Sequence, residues 1–169
     1  DEKLKLQALN SLCSILEKVL PERQSYSEIF NASNAFINLL TLQDQRKNDH
    51  WIEGYVKWEI GVLSSIGFSL DLERCAVTGA KTNLYFVSPK TGKAVSKEGA
   101  GKHAPKLLLL PFFFGGQIVI GSNFYKEILA GLDITSYFFK NKLLLSINTN
   151  KAINLPKSRI RFVELIEKL

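Results

Sequence analysis

The sequence predicts a mainly α protein, a helical bundle with an inserted zinc-ribbon-like β-hairpin that lacks a complete metal site. Three observations lead there. Apolar residues recur at helical spacing before residue 67 and again after residue 122. Between them the pattern changes to short aromatic and β-branched runs around Ser88-Pro-Lys-Thr-Gly92. That middle stretch, CAVTGAKTNLYFVSPKTGKAVSKEG from Cys75 to Gly99, has a knuckle-like CxxT, a 17-residue gap, and SxxG where a second knuckle would fall.

In chain order, Leu9, Leu12, Cys13, Leu16 and Leu20 follow the helical spacing until Pro21 stops it, which puts Cys13 in the core. Tyr26, Ile29, Phe30, Ser33, Phe36, Ile37 and Leu40 mark a second helix, expected antiparallel to the first, before the polar QDQRKNDH makes a loop. WIEGYVKWEIGVLSSIG carries one stripe in Trp51, Tyr55, Trp58 and Val62 and another in Ile52, Val56, Leu63 and Ile66. A helix apolar on two sides belongs at the centre of the bundle, with Gly67 as its C-terminal cap. The two tryptophans at this spacing read as core residues; stacking on nucleic-acid bases is the functional alternative.

Leu84 to Val87 and Lys93 to Ser96 form the hairpin, with Pro89 suited to the first turn corner and Gly92 to a left-handed position. Strand alternation puts Leu84 and Phe86 on one face and Tyr85 and Val87 on the other. The run LLLLPFFF, Leu107 to Phe114, reads as a buried return into the helical core, or alternatively as an exposed pocket for a hydrophobic peptide. GSNFYKEIL then starts a helix with Ser122 as its N-cap, TSYFFKNKLLLSI makes another, and LPKSRIRFVELIEKL makes the last, with Pro156 in its first turn. The chain divides into a first helical part at 1–73, the hairpin insertion at 74–106, and a second helical part at 107–169.

With 169 residues, 46% of them hydrophobic, the chain can bury a real core. No apolar run reaches the roughly 18 residues of a membrane span. The first residues, DEKLKLQALN, are charged rather than secretory, so a cytoplasmic protein is expected. Two cysteines, Cys13 and Cys75, make no disulfide framework. The absence of methionine leads us to expect chain upstream of Asp1.

The net charge of +6 hides a division: residues 1–73 carry 7 basic and 11 acidic side chains, and residues 74–169 carry 15 and 5. Within Arg74 to Lys106 there are seven basic residues and one acid, Glu98. Such asymmetry suggests a face that meets a polyanion, against the plainer reading of a solvated lysine-rich surface.

Structural zinc takes four cysteine or histidine ligands, and here only Cys75 stands at one of the four expected places. Thr78 and Ser96 offer neutral hydroxyls and Gly99 no side chain, so no metal is expected and apolar packing must hold the hairpin instead. An enzyme would need a nucleophile and a base, for which Cys75 and His103 are the available pair. No GxSxG, GxxxxGK[ST] or HExxH motif accompanies them, so catalysis is not expected.

The order of YVKWEIGVLSSIGFSLDLERCAVTG, YFVSPKTGKAVS and LPKSRIRFVELIEKL resembles the RecO family of bacterial recombinational DNA-repair proteins. The family's metal-binding pattern looks like CxxCG, SPKSG and CxxC. Cys75 and Gly79 match it, whereas Thr78, Ser96 and Gly99 replace the other ligands. The resemblance implies an OB-fold preceding the present residues and a non-catalytic mediator without a cofactor. Such a mediator would bind single- and double-stranded DNA, anneal complementary strands, work with RecR, contact single-strand DNA-binding protein and help RecA load. The candidate phosphate contacts are Arg74, Lys81, Lys90, Lys93, Lys97, Lys102 and Lys106, because lysine-phosphate neutralisation gives the sequence-indifferent affinity that annealing needs. Arg159 and Arg161 match a family segment; their simplest role is a solvated helix face with ion pairs.

Overall fold

A computed structural model describes residues 2–20, 22–41, 49–144 and 154–169. The fold is mainly helical with one small antiparallel sheet. The expected helix stop at Pro21, most of the QDQRKNDH loop and the end of TSYFFKNKLLLSI lie outside the described residues.

Helix α1, Glu2–Val19, buries Leu4, Ala8, Ser11, Leu12, Ile15 and Val19. Leu9, Leu16 and Leu20 flank this stripe, half-buried. Cys13, expected in the core, is exposed. At 100° per residue it falls off a stripe that Ala8 and Ser11 help to centre, and polar Ser11 carries no hydrophobic signal. Helix α2, Ser27–Thr41, buries Ile29, Ser33, Phe36 and Leu40. Lys5 near the start of α1 donates to the carbonyl of Leu40 near the end of α2 (2.9 Å), which agrees with an antiparallel pair.

Helix α3, His50–Ser65, is central as expected, with Trp51, Ile52, Tyr55, Val56, Trp58, Val62 and Leu63 all buried. The tryptophans are therefore core residues, and Trp58 donates its indole N–H to Ser33 on α2 (3.0 Å). Gly67 caps the helix at φ +94°. Its N–H reaches Ser64 O (3.0 Å) and that of Phe68 reaches Leu63 O (2.8 Å), the double closure of a Schellman motif.

The sheet has the order β2-β1-β3, built from β1 Leu84–Val87, β2 Ala94–Ser96 and β3 Leu108–Leu109. The turn closes as expected through Gly92 at φ +70°, with the Ser88 N–H donating to the Lys93 carbonyl at 2.8 Å. The expected alternation of faces fails. Leu84 pairs with Ser96 but Phe86 with Val95, so Tyr85 is an extra residue in β1. This bulge lets Leu84 and Val87 both face the core, while Tyr85 and Phe86 are half-buried. A one-turn helix α4, Lys97–Ala100, and a tight 3-10 segment, Gly101–Lys106, lead into β3.

The run Leu107 to Phe114 is not a wholly buried return. Leu110 and Pro111 are buried, but Leu109 is 52% and Phe112 57% exposed. An edge strand followed by a 3-10 turn at Phe112–Phe114 covers only one side of the segment.

Helix α5, Phe124–Phe138, merges the two helices expected there, and continues through wider, π-type turns at Phe139–Leu144. Its N-cap is Asn123, whose side chain accepts from the Lys126 N–H (2.9 Å), not Ser122. Ser122 instead donates to Glu127, whose other oxygen accepts from the Phe112 N–H at 2.7 Å. At Gly131 α5 lies close against α3 and the Phe112–Phe114 turn: a Cβ there would lie 2.8 Å from Val56 Cγ1 and 3.0 Å from Phe113 Cζ.

Helix α6, Lys157–Ile166, starts directly after Pro156 and packs chiefly on α1. Arg161 is exposed and pairs with Glu164 (3.1 Å), as expected for a solvated face. Arg159 is the correction: it is 2% exposed and forms a two-point ion pair with fully buried Glu59 of α3. Residue 159 falls on the same face as Phe162 and Ile166, and that face is turned inward.

Candidate nucleic-acid interface

The candidate interface is built around a sulfur atom. Cys75 is buried, and its Sγ accepts from the N–H groups of Val77 and Thr78 (3.4 Å each), the N–H of Ser96 (3.2 Å) and the Ser96 hydroxyl (3.3 Å). Thr78 Oγ1 lies 3.3 Å from Ser96 Oγ. A Cβ at Gly99 would stand 2.9 Å from Cys75 Sγ and 3.2 Å from Ser96 Oγ. All four positions of a zinc site thus converge on one point, and hydrogen bonds to one sulfur occupy it. Among the described residues no three histidine, cysteine or acidic side chains gather to hold a metal.

This environment changes the thiol. Burial pushes Cys75 up, but the donors of Ser96 and Thr78, side chain and backbone, outweigh it and bring the thiol down to about 6 from an ordinary 9.0. Donors aimed at a sulfur favour its thiolate. His103, the other half of the candidate enzymatic pair, is exposed in the 3-10 segment and makes no hydrogen bond to Cys75.

Cys75 also places cations. Arg74 precedes it; Lys81 follows Ala80, whose carbonyl accepts the Cys75 N–H at 2.7 Å; Lys97 follows Ser96, whose N–H bonds the sulfur. Arg74, Lys81 and Lys97, all exposed, therefore project from backbone tied together at the open end of the hairpin. Lys97 is fixed further by its own N–H to Asn83 O (3.1 Å), and its ammonium lies 5.8 Å from the centre of the Tyr85 ring.

Lys90 and Lys93 stand at the other end, in and beside the turn. Lys93 faces Asp71 at 3.7 Å, where a segment running beside β2 bonds to Gly92 and Ala94. Lys102 and Lys106 lie exposed on the 3-10 segment that follows α4. The seven predicted cations thus form two groups, one organised by Cys75 and one at the turn, with Lys102 and Lys106 beyond. Sequence reasoning did not single out Tyr85, which is half-buried at the bulge with the Lys97 ammonium near its ring.

A second surface is apolar. Leu109, Phe112, Ile118, Val119 and Ile120 are all exposed, Ile120 completely. Leu109, Leu110, Pro111, Val119 and Ile120 line a cavity of about 200 Å³ with Lys126 and Glu127 at its edge.

The family described as Recombination protein O C terminal matches residues 4–151. The chain is 38% identical to the DNA repair protein RecO of Cereibacter sphaeroides over 167 residues, covering 99% of this chain and 65% of that relative. It is 36% identical to the DNA repair protein RecO of a Ruegeria species, covering 98% of this chain and 64% of the relative. It is 40% identical to that of Wolbachia pipientis over 87% of this chain and 60% of the relative. The chain therefore spans somewhat less than two thirds of the length of these relatives. No solved structure matches it significantly.

Proposed function

The chain belongs to the RecO family of DNA repair proteins and corresponds to their C-terminal region, and from that premise we propose that it is a DNA-binding part of a cytoplasmic, non-catalytic recombination mediator. In this reading it binds single- and double-stranded DNA without sequence choice and anneals complementary strands. It then works with RecR in helping RecA load, and engages the nucleoid when it does so. The observation that carries the reading is the gathering of Arg74, Lys81 and Lys97 around Cys75. Three exposed cations on backbone segments tied together, one of them near an aromatic ring, suit a phosphate backbone with bases alongside it. The separation of Cys75 from His103 favours a mediator over an enzyme.

The test is a titration against single-stranded DNA at two salt concentrations, with the triple Arg74→Gln, Lys81→Gln, Lys97→Gln variant beside the parent chain. Every cation that no longer neutralises a phosphate should lower the slope of log affinity against log salt by about 0.7. Binding that ignores salt, or an unchanged slope in the triple variant, refutes the phosphate-tracking role.

The exposed apolar strip favours a second reading, a protein-interaction domain that docks single-strand DNA-binding protein or RecR while an upstream OB domain holds the DNA. A cavity with apolar walls and Lys126 at its edge suits an acidic tail ending in phenylalanine. Binding of a tail peptide that is abolished in Lys126→Glu, together with no salt-sensitive DNA binding by this chain, would favour it.

A further inference from the structure

We infer that the cleft between Tyr85 and Lys97 receives one unpaired nucleobase of a single strand, stacked on the Tyr85 ring. The inference rests on the DNA-binding reading above and names a base-contact site within it. The cleft is open, about 390 Å³ in volume, and lined by Asn83, Tyr85, Lys97 and Glu98.

Each of these residues is placed by an identifiable feature of the backbone. Tyr85 is the bulged residue of β1, and bulges re-aim a side chain out of the regular pleat. Its carbonyl still accepts the Leu110 N–H (2.8 Å), so the strand beneath the ring is held from the β3 side. Asn83 adopts a left-handed conformation at φ +56°, which turns the chain at the mouth of the cleft. Its carbonyl is taken by the Lys97 N–H, whereas its side-chain amide has no partner among the described residues. An unpaired amide offers both a donor and an acceptor to a base edge.

Charge decides which part of a nucleotide goes inside. Glu98 lines the cleft and has no ion pair among the described residues, so a phosphate entering there meets a bare carboxylate. An uncharged base does not. The phosphates remain outside, where the exposed Lys81 and Arg74 stand. Lys97 is exposed and only loosely seated over the ring, so its side chain can swing to the outer face of an inserted base. A paired base in a duplex offers neither a free face nor its Watson–Crick edge, so this contact favours single strands.

The experiment compares Tyr85→Leu, Tyr85→Trp and the parent chain in binding fluorescent oligo(dT) and a duplex of the same length. Losing one stacked base should weaken single-strand binding by about 5- to 150-fold. Duplex affinity and salt slope should stay as they were, and Tyr85→Trp should bind the single strand as tightly as the parent or tighter. An oligonucleotide carrying 2-aminopurine should be quenched by the parent and not by Tyr85→Leu. Equal losses on single strand and duplex, or no loss on either, overturn the base cleft while leaving phosphate binding intact. Failure of the parent to bind single strands at all refutes the DNA-binding reading itself. Should Tyr85→Leu fold poorly, Tyr85→Trp decides: weaker single-strand binding with normal duplex binding overturns the cleft.

Discussion

Arg159 and Glu59, one hundred residues apart in sequence, meet in the core of the bundle through two hydrogen bonds of 3.0 and 3.1 Å. Arg159 also donates to Ser136 (2.6 Å), the Leu132 carbonyl (3.0 Å) and Thr135 (3.0 Å) on α5. Glu59 also accepts from Tyr55 (2.9 Å), which in turn contacts Ser11 of α1 at 2.6 Å. One polar network thus joins α1, α3, α5 and α6. Burial lowers the Arg159 value, but the Glu59 charge and hydrogen bonds outweigh that and raise it, so the guanidinium stays charged. Burial, together with the same carboxylate, holds the Tyr55 phenol well above its ordinary value.

Arg159→Ala leaves Glu59 buried without its partner and is expected to cost about 3–5 kcal/mol. Arg159→Lys cannot reproduce the planar fork and should also lose stability. The double variant Glu59→Leu, Arg159→Met removes both charges and is expected to recover most of the loss. Urea denaturation measures all three; an Arg159→Ala cost below about 1 kcal/mol would mean the pair does not hold α6 in place.

Stability should depend on pH through Cys75. Its folded value of about 6 lies below the ordinary 9.0, so between these the unfolded chain binds a proton that the folded chain does not. The contribution is complete above about 9, and is lost as pH falls through about 6. In a Cys13→Ser background, the melting-temperature gap between chains with and without Cys75→Ser should widen as pH rises through this window. A gap that stays constant would show that the folded and unfolded chains hold the Cys75 proton equally.

The four converging positions make a restorable metal site. Thr78→Cys, Ser96→Cys and Gly99→Cys together should bind one zinc per chain and raise the melting temperature, because four thiolates then surround one point. Thr78 Oγ1 now lies 3.3 Å from Ser96 Oγ, and a Cβ at Gly99 would stand 2.9 Å from Cys75 Sγ, so the cluster must open to admit zinc–sulfur bonds of about 2.3 Å around a central ion. Spectrophotometric zinc titration reads the stoichiometry; no uptake would show that the hairpin has lost the geometry as well as the ligands.

Two helical glycines should respond oppositely to alanine. At Gly61 a Cβ meets nothing within 4 Å, so Gly61→Ala should stabilise by about 0.5–1 kcal/mol through helix propensity. At Gly131 the Cβ would press on Val56 and Phe113, so Gly131→Ala should destabilise by about 1–3 kcal/mol despite the same propensity gain. Thermal melts of the two variants check this, and matching signs would contradict the close approach of α3 and α5.

Much of the architecture was readable because it follows local periodicity. The stripes of α2 and α3, the Gly67 cap and the Gly92 turn all depend on residues within a few positions of one another. Cys13 and Arg159 were misplaced for one reason: a residue's face depends on where the stripe is centred, and polar groups such as Ser11 and Glu59 help to set that centre. Ser122 yields the cap to its neighbour because Asn123 adopts the extended conformation, and Glu127 occupies the serine.

By itself, then, the sequence determined the mainly helical class, the hairpin, its cationic density and the family resemblance, since these rest on composition and short-range spacing. Only the tertiary structure decided that Thr78, Ser96 and Gly99 still crowd around Cys75. It also decided that a bulge at Tyr85 brings Val87 into the core beside Leu84 and leaves the Tyr85 ring near Lys97, and that Arg159 faces Glu59 and not water. Each of these depends on a partner distant in the chain, and a buried charge or a bulged strand is stable only when that partner is already in place.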